Sequence, residues 1–273
     1  MRSKQEKRPN KAGMRGIYVL PNLFTTASLF GGFYAILASI QGRYEAAAIA
    51  ILISYVLDGL DGKIARFTHT TSQFGIEYDS LSDLVAFGVA PGILAFQWAL
   101  GPFGRLGWLA SFMYVTCGAL RLARFNVQKS TVDSRYFRGL PIPAAASFIA
   151  SLVLFSDAIG GLPESKHILV LVLIYVLSFL MVSTINYPSF KELDLKKQKT
   201  FNVLVASILI LMVIAYKPKI MLFFILAIYL LLGPVVTLYR SQKKLARANH
   251  HLSRFYLDTA NDTEELDAPQ TDL

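Results

Sequence analysis

Apolar blocks of about 16 to 21 residues recur along the chain, with short basic segments between them. Crossing a ~30 Å hydrocarbon core as a helix takes about 20 such residues, because no water is present there to satisfy an exposed backbone. Eight blocks read as spans: 20–40, 46–65, 81–100, 106–122, 144–159, 168–185, 201–216 and 219–239. The fourth, fifth and seventh are short by that measure, and either extend into their flanks or sit partly inside the bundle. The fold class this predicts is all-α, a polytopic membrane bundle of about eight helices. Composition agrees: 54% of residues are hydrophobic and 16% charged, against about 45–50% and 25% in an ordinary soluble domain. A single cysteine, Cys117, excludes an internal disulfide and a multi-cysteine zinc site. The net charge of +9 does not suggest a nucleic-acid partner, since the cations flank apolar blocks as they do at a membrane surface.

The basic residues also predict orientation. Segments 1–16, 63–78, 121–139, 191–199 and 240–254 hold 22 of the 27 Lys and Arg. With eight spans these segments share one face, which the positive-inside rule makes cytoplasmic, both termini included. The last 19 residues, after Arg254, have no Lys or Arg and carry six acids, an acidic solubilising tail. The chain divides on this reading into a basic segment, 1–16, and a membrane domain, 17–200, with its chemistry at 58–83. Two further helices follow at 201–239, then a basic juxtamembrane segment and the tail at 240–273.

Asp58 and Asp61 interrupt the end of the second block, and Asp79 and Asp83 lead into the third. A mid-membrane aspartate costs about 2.5–3.5 kcal/mol, so these four are expected to face the bundle interior and to need a compensating cation. Asp58 and Asp61 are i,i+3, and Asp79 and Asp83 are i,i+4; each pair shares a helix face, about 5–6 Å apart at Cβ. A polar turn over 67–78 makes the two helices antiparallel neighbours. The pooled oxygens suit Mg²⁺ or Mn²⁺, and two ions about 3.5–4 Å apart suit phosphoryl transfer. Gly62 lets a phosphate or nucleotide approach the backbone, Ala65 extends the same face with a small surface, Arg66 offers a phosphate-pairing cation, and Gly75 frees the turn. The plainer alternative is a set of solvated helix ends, with Lys63 and Arg66 as salt-bridge partners. A cation transporter is a third reading, but it predicts carboxylates near the bilayer midplane rather than at one edge.

The run Asp58-Gly-Leu-Asp61-Gly62-Lys-Ile-Ala65-Arg66, followed at fixed spacing by Gly75, Asp79 and Asp83, resembles the CDP-alcohol phosphatidyltransferase signature at all eight fixed positions. The resemblance implies a helical membrane enzyme with its site near the cytoplasmic interface. The donor would be CDP-diacylglycerol or a relative, the acceptor an alcohol, and CMP the leaving group. It further implies that Asp58, Asp61 and Asp79 bind metal, and that Asp83 touches the metal site and serves as general base. Gly62, Ala65, Arg66 and Gly75 would border the CDP moiety. Asn22 and Thr25, at the inner end of the first block, either contact the nucleotide or simply start a helix.

Two further stretches, Cys117-Gly-Ala-Leu-Arg121-Leu-Ala-Arg124-Phe-Asn126-Val and Tyr136-Phe-Arg138-Gly139-Leu-Pro141-Ile-Pro143-Ala-Ala-Ala, are similar to the bacterial-type branch of that family. So are Pro21-Asn22-Leu-Phe-Thr25 and Tyr187-Pro-Ser-Phe-Lys191. That branch implies L-serine as acceptor, bound by Arg121, Arg124, Asn126 and Arg138. An arginine pair suits a carboxylate, but glycerol 3-phosphate and inositol phosphate are anionic too, and arginines at a helix end also snorkel to lipid headgroups. The segment 139–143 reads as a rigid lead-in to the fifth block that also shapes the acceptor pocket. Family resemblance implies a homodimer, and Gly31-Gly32 suits close helix packing either at that interface or within one chain.

Overall fold

The computed structural model describes residues 19–67, 72–128, 136–161, 167–188 and 216–237. Its helices are α1 (Val19–Ile40), α2 (Tyr44–Phe67), α3 (Gln73–Phe103), α4 (Arg105–Gln128), α5 (Ile142–Ala158), α6 (His167–Val182) and α7 (Pro218–Thr237). Among the described residues four of these, α1, α3, α4 and α7, are long and apolar enough to cross a membrane. In α2 the charges of Glu45, Asp58, Asp61, Lys63 and Arg66 break the apolar run, while α5 and α6 are only 17 and 16 residues long. Most of the expected seventh span, 201–215, lies outside the described residues, as do the N-terminal segment and the acidic tail. Large apolar side chains such as Phe30, Phe33, Phe112, Phe179 and Leu231 are exposed on the outer surface, as expected of an integral membrane protein in contact with lipid.

One element was not expected from the sequence. Strand β1 (Tyr136–Arg138) pairs antiparallel with β2 (Asn186–Pro188), placing Phe137 opposite Tyr187 in a short ribbon before α5. Gly139 follows β1 at φ +80°, where a Cβ would fall on the Met181 carbonyl oxygen; its N–H donates to Ile185 (2.8 Å) and the Leu140 N–H to Leu180 (3.0 Å). A glycine is needed here on both counts. The lead-in to α5 is thereby anchored to the end of α6.

Small residues set the spacing of the helices around the acids. Ser28 and Ser54 donate to each other's backbone carbonyls (3.1 and 3.0 Å), tying α1 to α2. A Cβ on Gly31 would strike Ser54, and one on Gly32 would lie 2.6 Å from the Ala86 Cα of α3. Of the two readings of the glycine pair, packing within one chain is the one seen: Gly31 and Gly32 of α1 lie against α2 and α3.

The expected turn over 67–78 is also shorter than anticipated. Ser72 caps α3 by accepting from the Gly75 N–H (3.0 Å), and Gln73 donates to Glu77 one turn on (2.8 Å), so helix begins at Gln73 and Asp79 lies inside it. Beyond Asp83 the helix widens into a π-helical turn, Leu84–Val89. Pro91 explains part of this, since it has no N–H to give to the Phe87 carbonyl. The buried Tyr114 hydroxyl of α4 donates to that carbonyl instead (3.1 Å).

Replacing Gly32 by Leu should lower stability by about 1–3 kcal/mol, the usual cost of overpacking. Thermal unfolding in detergent measures it, with Gly59→Ala as the comparison, because a Cβ at Gly59 meets nothing within 4 Å. Equal melting temperatures for the two variants would contradict the tight α1–α3 contact.

Candidate active site

Helices α1 to α4 bring polar residues together at one end of the bundle. Asp58 and Asp61 occupy one face of the last turns of α2, and Asp79 and Asp83 one face of the first turns of α3. One carboxylate oxygen from each of Asp58, Asp61 and Asp79 lies within 4.8 Å of the others. Asp83 stands outside this trio and shares a hydrogen bond with Asp58. Asp61 is buried and accepts a hydrogen bond from the Thr25 hydroxyl of α1 (2.7 Å). Ser82, between the two acids of α3, donates to the Thr25 carbonyl (3.1 Å), so α1 braces both acid pairs through one residue. Nearby, Thr26 and Tyr78 share a hydroxyl–hydroxyl hydrogen bond (2.9 Å).

Three carboxylates this close repel by about 3.5 kcal/mol per pair at an effective dielectric of about 20. A cation or bound protons must offset that. The donors are carboxylate oxygens alone, with no histidine or thiol among them, and this is the set that hard divalent ions prefer. The residues present therefore fit a divalent metal.

The remaining residues singled out in the sequence are placed as follows. Gly62 is half-buried next to Asp61, and Gly75 lies beside Asn22, whose Oδ1 would be 3.5 Å from a Cβ added there. Thr25 directs its hydroxyl to Asp61, a supporting contact the sequence did not indicate. Arg121, near the end of α4, is only 8% exposed and lies within electrostatic range of Asp83. Among the described residues its Nε has no hydrogen-bond partner. Arg124 turns elsewhere, donating to the Val182 carbonyl (3.3 Å), and Asn126 donates to Ser80 (2.9 Å), which ties α4 to α3. The side chains of Ala65, Arg66 and Arg138 lie outside the described residues. Three tyrosines, Tyr55, Tyr187 and Tyr229, gather at this end of the bundle as well. No spacing signal marks them, because a lone tyrosine in an apolar block looks like any interfacial aromatic.

Comparison with known proteins gives a consistent result. The sequence profile of the CDP-alcohol phosphatidyltransferase family matches residues 18–180. A CDP-diacylglycerol–serine O-phosphatidyltransferase of Helicobacter pylori is 38% identical over 233 residues, covering 85% of this chain and 97% of that protein. An archaetidylserine synthase of Methanothermobacter thermautotrophicus is 38% identical over 181 residues (66% and 73% of the two chains). A CDP-diacylglycerol–serine O-phosphatidyltransferase of Bacillus subtilis is 35% identical over 179 residues (63% and 92%).

Titration of the purified protein with Mn²⁺, followed by electron paramagnetic resonance, should show saturable uptake that Asp61→Asn abolishes. Thr25→Val should weaken it about tenfold or more, as loss of a hydrogen bond that orients a ligand carboxylate does. Uptake identical in all three proteins would mean that these acids hold no ion.

Proposed function

The chain belongs to the CDP-alcohol phosphatidyltransferase family, and from that premise we propose that it transfers the phosphatidyl group of CDP-diacylglycerol to L-serine, releasing CMP. The observation that carries this reading is the convergence of Asp58, Asp61 and Asp79 on one point, with Asp83 against Asp58 and the buried Arg121 within electrostatic range of Asp83. The acceptor follows from the relatives. Bacterial and archaeal relatives whose names specify different lipids have serine in common.

Asp58, Asp61 and Asp79 would hold Mg²⁺ or Mn²⁺, two ions on this reading. When bound, the metal supplies positive charge to the donor's diphosphate as charge develops on the leaving phosphate. The chain's own groups do the rest. Asp83 takes the proton from the serine hydroxyl, an alcohol too weakly nucleophilic without a base. The serine oxygen then bonds to the phosphorus that carries the diacylglycerol, the P–O bond to CMP breaks, and CMP leaves with that bridging oxygen. Thr25 holds Asp61 in place throughout. Arg121 binds the serine carboxylate, with Arg124, Asn126 and Arg138 framing that side of the site. Gly62, Ala65, Arg66, Gly75 and Asn22 border the CDP.

The catalytic domain on this reading spans 17–200, in a bundle of about eight spans. The site faces the cytoplasm and both termini lie there, because the basic segments of the sequence alternate with the eight expected spans so as to share one face. The assembly proposed is a homodimer.

An acceptor panel tests the assignment: CMP release is measured with serine, glycerol 3-phosphate and an inositol compound in turn, with Mg²⁺ and Mn²⁺ separately. Serine-dependent release is expected, and release with another acceptor only would reject serine. Asp83→Asn should cut turnover by about 10²- to 10⁴-fold while CDP-diacylglycerol binding persists; undiminished turnover would remove Asp83 from the role of base.

A further inference from the structure

Helix α3 changes pitch at the point where its acids end. Asp83 is followed at once by the π-helical turn Leu84–Val89, in which the Ala90 N–H reaches back five residues to the Val85 carbonyl. Such a turn holds about one residue more than an α-helical turn, and each residue of an α-helix advances about 100° around the axis. The widening therefore re-aims Asp83 relative to the remainder of α3 by about that angle. The remainder is fixed in the core. Ala90, Pro91, Gly92, Leu94 and Ala95 are buried, and a Cβ on Gly92 would lie 3.1 Å from Val115 and 3.5 Å from the Ser111 carbonyl oxygen of α4. In an ordinary turn the Pro91 ring would press on the Phe87 carbonyl and give it no N–H. The wide turn moves that carbonyl aside, and the fully buried Tyr114 of α4 receives it, its hydroxyl donating at 3.1 Å.

Asp83 thus sits between two sets of ties. Before it, Asn126 donates to Ser80 (2.9 Å) and Ser82 to the Thr25 carbonyl (3.1 Å), which fix the acid-bearing turns against α4 and α1. One helical turn after it, Tyr114 holds the wide turn. Apart from the bond shared with Asp58, the carboxylate is weakly held by its own contacts: Asp83 Oδ1 has no hydrogen-bond partner among the described residues. Its direction is therefore set by its backbone. We propose that Tyr114 is a positioning residue for Asp83: the hydroxyl locks the wide turn open and so aims the carboxylate at the acceptor hydroxyl, without touching substrate itself. This rests on Asp83 being the general base.

The test uses the full chain with CDP-diacylglycerol and serine in mixed micelles, well below the melting temperature. Tyr114→Phe keeps the ring and its packing and removes only the hydroxyl. The kcat for CMP release should fall about ten- to a hundredfold, the scale of a small misplacement of a reacting group. Both KM values and Mn²⁺ uptake by Asp58, Asp61 and Asp79 should change little, because Asp79 stays fixed beside Ser80. The melting temperature should drop by a few degrees, since a buried carbonyl loses its partner. Tyr44→Phe is the control: the Tyr44 hydroxyl also donates to a carbonyl of α3, that of Gln97 (2.9 Å), but toward the far end of the helix, and its kcat should be unchanged. Adding Pro91→Ala to Tyr114→Phe supplies the N–H that the Phe87 carbonyl lacks. Melting temperature should then recover and turnover should not, because a turn closed to α-helical pitch aims Asp83 elsewhere. An unchanged kcat in Tyr114→Phe would overturn the proposal. So would an equal fall in Tyr44→Phe, loss of Mn²⁺ uptake in step with kcat, or recovery of turnover in the double variant. Failure of the underlying reading looks different: Asp83→Asn would itself keep full turnover, whereas an inactive Asp83→Asn beside a fully active Tyr114→Phe would fault Tyr114 alone.

Discussion

Carboxylates of one sign, gathered at the edge of an apolar bundle, are held together by whatever surrounds them rather than by their own attraction. Asp58, Asp61 and Asp79 present oxygens within 4.8 Å of one another, and every helix that touches them contributes to keeping them there. Thr25 of α1 binds Asp61, Ser82 of α3 binds the Thr25 backbone, and Arg121 of α4 brings a positive charge close to Asp83. Divalent ions suit this arrangement because they convert repulsion among the acids into shared ligation. The same charge is what a diphosphate needs when one of its bonds is broken beside a lipid.

Bringing four helices this close requires removing side chains. Gly31 and Gly32 allow α1 to touch both α2 and α3, and alanines such as Ala35, Ala47, Ala86 and Ala90 make up much of the buried core. Membrane helices gain little from burying leucine against leucine, since lipid offers the same environment; close van der Waals contact and polar bonds do the work instead. The reciprocal Ser28–Ser54 bonds are one example. Tyr114 is another: it satisfies the carbonyl that Pro91 leaves free, in the widened stretch of α3 just beyond Asp83. The irregular helix is tolerated because a neighbour completes its hydrogen bonding.

The legibility of the site varied with the physics of each residue. The aspartates were visible because four acids against apolar blocks are costly unless they face the bundle interior, and their i,i+3 and i,i+4 spacing is enough to put each pair on one helix face. Arg121 and Arg124 looked alike, three residues apart at one helix end, yet one is buried near Asp83 and the other bonds the Val182 carbonyl. Asn126 proved to be a tie to Ser80. The β1–β2 ribbon was missed because three-residue strands carry no usable alternation, and its pairing joins segments about fifty positions apart.

What the sequence by itself determined is what stands close together in the chain: apolar lengths that demand helices, acids spaced to share a face, and a motif that resembles the signature of one enzyme family. These depend on near neighbours in the chain, so they can be read in order. The tertiary structure alone decided which arginine is buried, that Thr25 serves Asp61, that the glycine pair packs inside the chain, and that Gly233 of the last described helix seats on the Tyr187 ring. Those outcomes depend on how helices distant in sequence are rotated and spaced against one another, which is set by packing and leaves no periodic trace along the chain.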